Sequence, residues 1–414
     1  MTKFIEGNVK YNKLLQTLVL TGFALIAGGS HATEIGGVDM TGSGFLTVGA
    51  GKMLGGTQHN VNGYNCPCFT ADYAQAGVYD NRSGLQFGPD SKLGLQGTAF
   101  FDNRRLSLTA QAVSRGAQGG KVNLEWLYAS YKIDDKFTVQ AGRKRLPMFY
   151  YSDTQDIGVA LPITHLPPQL YGWEAVNYNG ANLSYQGQWG DWSANADLLY
   201  GNEAKKETGY WKVYRGKDNR TDIKWKNIKG GDLTLSKDWF ETRLVYLTSD
   251  NQAKNTNGIW DPSISGYDQS IDTDYTTPIK QHIYGITANV DYHNWLLRSE
   301  AIQIDHPQAA PSWKDLAYIV AGGYRYGKWQ PMITWSRYKS VATGGADATG
   351  QEGHYTVALT LRYDISTSSD IKLQIDDQHD RGGPNWTANY LSGASGSPAF
   401  GNARLLTVAY DMVF

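Results

Sequence analysis

Between positions 143 and 156 the chain carries a dense set of fixed charges. Arg143, Lys144 and Arg145 stand together, and Asp153 and Asp156 follow a short way on. Opposed fixed charges across a narrow aperture with low-dielectric walls set up a transverse field, which orders water and orients dipolar solutes. Such a field sorts polar from apolar solutes with no binding pocket and no covalent step. Lys92, Arg105, Arg298 and Arg362 fall on the polar faces of other segments and are the expected opposing wall. Glu300 shares a face with Arg298 and is expected to pair with it.

Other chemistries find less support. Cys66-Pro67-Cys68 has three open readings: a disulfide, inert thiols, or a metal or redox site with His59 as the nearest further ligand. Haem attachment needs Cys-x-x-Cys-His, which is absent. The eight histidines form no His-Glu-x-x-His pair, and no Gly-x-Ser-x-Gly elbow occurs. Gly49-Ala50-Gly51-Lys52 lacks the spacing and the Ser/Thr of a phosphate loop. The expectation is no enzyme, no cofactor and no metal. A formal net charge of −1 over 414 residues, without a block of like charge, argues against nucleic acid as a partner.

The elements that must position these groups begin after an export segment. Lys3, Lys10 and Lys13 precede a mostly apolar run from Leu14 to Ala27, and Ser30-His31-Ala32 supplies the small residues of a cleavage site. Residues 1–32 therefore read as a signal peptide, and residues 33–414 as the mature chain, of formal charge −3 once three Lys and one Glu are removed. No later apolar run approaches the roughly 18 residues that a spanning helix needs.

Period-2 alternation recurs along the whole mature chain. Leu93, Leu95, Gly97, Ala99 and Phe101 oppose Lys92, Gln96 and Thr98; Leu106, Leu108, Ala110 and Ala112 oppose Arg105, Ser107, Thr109 and Gln111. Tyr355, Val357, Leu359, Leu361 and Tyr363 oppose Thr356, Thr360 and Arg362. Sixteen segments alternate this way: 43–54, 90–101, 104–114, 122–132, 136–143, 176–189, 192–201, 230–237, 240–249, 281–292, 295–304, 315–326, 330–339, 353–363, 370–378 and 403–414. Their links are alternately short and long, and apolar-face aromatics cluster near strand ends. The fold class expected is all-β: a transmembrane antiparallel barrel of 16 strands, with short periplasmic turns and long extracellular loops.

At the C-terminus, Leu406, Val408, Tyr410, Met412 and Phe414 share one face. A last strand with alternate apolar residues and a terminal aromatic resembles the assembly signal of Gram-negative outer-membrane barrels. With the long link after the fifth strand, the mature chain is similar to the sixteen-stranded general porin family. The resemblance implies a location in the outer membrane among lipid and lipopolysaccharide, biogenesis by the barrel assembly machinery, and a homotrimer. It also implies that residues 144–175, rich in apolar side chains, fold inward as the constriction loop. The family's acidic Pro-Glu-Phe-type loop motif is absent here, and the second long link, 115–121, is too short for a latch onto a neighbouring subunit. The function implied is passive diffusion of ions and small hydrophilic solutes. A channel selective for sugar, carboxylate or phosphate, and a structural barrel with a blocked pore, are the alternatives.

Overall fold

A computed structural model describes residues 32–35, 38–261, 264, 266–268, 277–309, 312–343, 351–382 and 401–414. Sixteen strands form one antiparallel ring. They are β1 (Val38–Gly56), β2 (Lys92–Phe101), β3 (Leu106–Arg115), β4 (Val122–Lys132), β5 (Phe137–Arg145), β6 (Asn177–Trp189), β7 (Trp192–Lys205) and β8 (Thr221–Lys237). The second half comprises β9 (Phe240–Asn255), β10 (Ile279–Tyr292), β11 (Trp295–His306), β12 (Ser312–Tyr324), β13 (Trp329–Thr343), β14 (Gly353–Ser366), β15 (Ser369–Asp380) and β16 (Ala403–Val413). Each pairs with its neighbour in sequence, and β1 pairs with β16 from Phe45↔Val413 to Gly56↔Ala403, which closes the ring. A bilayer offers no water to an unpaired strand edge, so closure is what makes the sheet compatible with lipid. The backbones of Gly44 and Phe414 exchange both hydrogen bonds at this seam, at 2.7 and 2.9 Å. A short strand, Ala32–Ile35, folds back on the start of β1. The rest of the expected signal segment lies outside the described residues.

All sixteen expected strands are present, but several are longer than their alternation indicated. β8 starts at Thr221 rather than at 230, because the register shifts between Lys226 and Lys229 and breaks the period. β7 has a similar irregularity between Gly201 and Glu203 and continues to Lys205.

One face of each strand is apolar and open to lipid. Val408 is 44% exposed, and Leu198, Ile333 and Leu359 are more so. Leu406, Tyr410 and Met412 share the outward face of β16 with Val408, while Leu405, Thr407, Ala409 and Asp411 turn inward and are fully buried. Exposed aromatics ring the rim of the short turns (Tyr131, Trp189, Trp239, Trp295, Tyr326 and Trp329), and Tyr200, Tyr246 and Tyr284 mark the other end. Amphipathic rings sit well at the lipid–water boundary. The turn at Gly190-Asp191 needs a left-handed residue, and glycine supplies it at φ 61° without a Cβ clash.

The opposite rim carries the loops L1 (57–91), L2 (116–121), L3 (146–176) and L4 (206–220), and β9, β11, β13 and β15 end on the same side. L1 contains two small hairpins, and L4 contains the helix Gly209–Arg215. L1, L3 and L4 pack into the barrel and give it an interior core. Leu146, Met148, Phe149, Leu161 and Leu170 of L3 bury against Leu247, Ile283, Ile302 and Ile319 of the wall. Each such side chain contributes about 1.5–3 kcal/mol on burial. The lumen is therefore partly filled by chain.

Candidate functional site

L3 is held to the wall all round the ring. At its start, Arg243 of β9 donates to the carbonyls of Phe149 (2.6 Å) and Pro147 (2.9 Å), and Glu300 of β11 accepts from Tyr150 N (2.8 Å) and Tyr171 Oη (2.6 Å). Farther along, Arg362 of β14 donates to the carbonyls of Val159 (2.9 Å) and Leu161 (3.0 Å). Lys372 of β15, fully buried, donates to Gly158 O and to Asp411 of β16, both at 2.7 Å. Thr47 of β1 completes that cluster with a 2.5 Å bond to Asp411. Gly158 must lack a side chain here, since a Cβ would lie 1.7 Å from the Asp411 carboxylate. At its end, Glu174 accepts from the indoles of Trp225 (2.6 Å) and of Trp211 in L4 (2.7 Å).

Two ionic clusters fasten the middle of the loop. Asp156 is buried between Arg115 of β3 (2.6 Å) and Arg145 at the end of β5 (2.7 Å), with Lys92 of β2 at 3.9 Å. Glu125 of β4 bridges the same two arginines, at 2.6 and 3.3 Å. Burial alone would raise the Asp156 carboxyl, but the two guanidiniums and Lys92 hold it well below the usual carboxylate range. His165, also buried, lies between Asp90 of L1 (3.2 Å) and Asp376 of β15 (3.4 Å). Burial opposes its charging, yet the two carboxylates outweigh this and push the imidazole up to about 10. At neutral pH it is an imidazolium that ties L1, L3 and the wall together.

Asp153 differs from Asp156. It is exposed, and its charge is felt by Tyr128, Lys144, Tyr178, Asp232 and Arg243, which come from β4, β5, β6, β8 and β9. Lys144 donates to Gln140 and to Asn182 (3.0 Å), and Asn182 reaches Asp197 at 3.0 Å. Asp232 pairs with Arg243 at 3.0 Å. A row of fixed carboxylates and cations thus faces the exposed tip of the loop.

The residues singled out from sequence are therefore distributed differently from the expected acidic loop facing a basic wall. Lys92 and Arg145 touch Asp156 directly, and Lys144 faces Asp153. Arg143 pairs with Glu203 at 2.8 Å instead of meeting the loop. Arg298 pairs with Asp291 at 2.8 Å, and Glu300 serves Tyr150 and Tyr171, so the expected Arg298–Glu300 pair does not form. Arg105 is corrected outright. It lies exposed in a short turn, 5.7 Å from the Tyr131 ring and bonded to Ile133 O, because the chain reverses there before β3 begins. Arg115, Glu125, His165, Lys372 and Asp411 were missed, although each has a readable signal as a charged residue on a strand's polar face or within the apolar loop. Cys66 and Cys68 are bonded to each other. Among the described residues no cluster of His, Cys, Asp or Glu is arranged to hold a metal ion.

Residues 17–383 match the family model of Gram-negative porins, and the chain belongs to that family. It is an outer-membrane β-barrel of the diffusion-channel class. No curated protein matches the sequence. Among solved structures it is similar in fold to in-vitro folded OmpT of Vibrio cholerae, at 10% identity and a TM-score of 0.57, covering 93% of this chain and 100% of that one. A trimer form of that protein matches at 9% identity and 0.51, over 91% and 99%. The anion-selective porin from Comamonas acidovorans matches at 14% identity and 0.52, over 91% and 100%.

Proposed function

We propose that residues 33–414, exported by a signal peptide spanning 1–32, act as a passive channel for ions and small hydrophilic solutes. The narrowest passage lies between the tip of L3 and the inner faces of β4–β9, and transport is not coupled to catalysis. The observation that carries this reading is the contrast between the two loop carboxylates. Asp156 is sunk in an ionic cluster, while Asp153 stands in water opposite Lys144, Asp232 and Arg243. A loop fastened at both ends and at its middle holds that exposed charge at a fixed place in the lumen, as a field-generating aperture requires. A homotrimer is proposed as well, supported by the trimer form of the Vibrio protein of similar fold.

The test is conductance in a planar bilayer. Wild type is expected to give ohmic steps that scale with salt. Asp153→Asn removes one negative charge from the aperture and is expected to move the reversal potential in a KCl gradient toward anions, with the steps retained. An unchanged reversal potential would remove Asp153 from the aperture. Absence of any step from folded protein would end the channel reading.

A further inference from the structure

The outer mouth of the channel carries a second feature, whose reading rests on the channel reading above. L1, L2 and L4 enclose a cavity of about 750 Å³. Its charged lining is five cations and one carboxylate: Arg82, Lys121, Lys206, Lys212, Lys217 and Glu207. Arg82 is partnered by Asp80 at 2.7 Å, and Glu207 leans toward Arg220 at 4.0 Å. Among the described residues the four lysines have no ion-pair partner.

These lysines sit on anchored backbone. Lys212 belongs to the helix Gly209–Arg215, which is pinned by fully buried Val213. The Lys217 amide donates to Asn62 O at 2.9 Å, and its stem lies over Gly63, where a Cβ would be only 3.2 Å away. Lys121 donates its amide to Gln118 O at 3.3 Å, and Gln118 is tied to Gln75 of L1 at 2.6 Å. Lys206 directly follows β7. Like charges gathered in one concavity repel one another, and this protein supplies almost no carboxylate to relieve them. L2 follows β3 and L4 follows β7, so the cavity stands above the strands whose inner faces oppose Asp153.

We infer that this cavity is an anion-collecting antechamber, which concentrates small multivalent carboxylate or phosphoryl anions at the outer entrance ahead of the aperture. Its volume falls in the range that holds small molecules. A single-signed cleft with low-dielectric walls raises the local concentration of counter-charged solute by roughly 10- to 1000-fold. The effect is confined by salt to a Debye length of about 10 Å at 0.1 M and 3 Å at 1 M.

The probes are citrate and inorganic pyrophosphate, added in turn to each side of the full mature protein in a planar bilayer. In about 0.1 M KCl, current is expected to fall at roughly tenfold lower probe concentration on one side than on the other, and this sidedness is expected to vanish in about 1 M KCl. Block by citrate alone or by pyrophosphate alone assigns the carboxylate or the phosphoryl class. Lys121→Gln/Lys206→Gln/Lys212→Gln/Lys217→Gln is expected to abolish the sidedness and move the low-salt reversal potential toward cations. Ohmic steps with no sided block by either probe overturn the antechamber while leaving the channel intact. A quadruple variant that conducts and keeps its sided block overturns it too. The wild-type measurement needs no variant to fold.

Discussion

Asp153 and Asp156 lie on one loop and bear the same charge, yet burial gives them different work. Asp153 is exposed, whereas Asp156 is buried between Arg115 and Arg145. Removing one partner of a buried ion pair costs about 3–5 kcal/mol, because the charge left behind has neither water nor a counter-ion. Asp156→Asn is therefore expected to loosen L3 rather than retune it. The current should become noisy and the folded protein should unfold at lower temperature, as read by the heat-dependent shift in gel mobility. A quiet variant of normal stability would show that the cluster does not hold the loop. In the sequence the polar face of β2 disclosed Lys92, and the base of the loop disclosed Arg145. Arg115 escaped because β3 runs one residue beyond the end that its alternation suggested, and Glu125 because the register shifts between Gln111 and Ala112 opposite it. Local period marks which residues face inward, but it does not say which of them will meet.

Strands were far more legible than loops. Alternating side chains in a closed ring must divide lipid from lumen, so all sixteen segments are marked by chemistry that repeats every second residue. L3 has no such period; its leucines, methionine and tyrosines fit no template, and only their abundance hinted at burial. What fixes L3 is a set of bonds to distant partners, among them the pH-sensitive ones from His165 to Asp90 and Asp376. Its pKa is raised from 6.5 to about 10 in the folded chain. A raised pKa contributes stability that is fully present below the unfolded value and is lost as pH climbs through the folded one. Conductance noise is therefore expected to begin rising as pH climbs above the unfolded value and to level off near 10, as Asp90 and Asp376 lose their shared cation. His165→Ala should be noisy already at neutral pH. A wild-type channel that stays quiet beyond pH 11 would remove the imidazolium from this role.

At the scale of the whole molecule, closure depends on two short stretches at opposite ends of the chain. Phe414 completes the seam with Gly44, and its ring lies where a Gly44 side chain would stand, 2.4 Å from a Cβ built there. Deleting Phe414 is expected to lower the yield of the heat-modifiable folded form, while Phe414→Tyr should preserve it; equal yields for deletion and wild type would mean that the seam needs no terminal aromatic. The same topology gathers lysines from two loops and an arginine from a third into one mouth, although in sequence they look merely scattered. One further consequence comes from the distances along the chain. Gly158 is fastened by Lys372, 214 positions later, and Thr164 by Gln374, 210 positions later. Both fastenings of L3 therefore exist only once β15, near the far end of the ring's sequence, has taken its place.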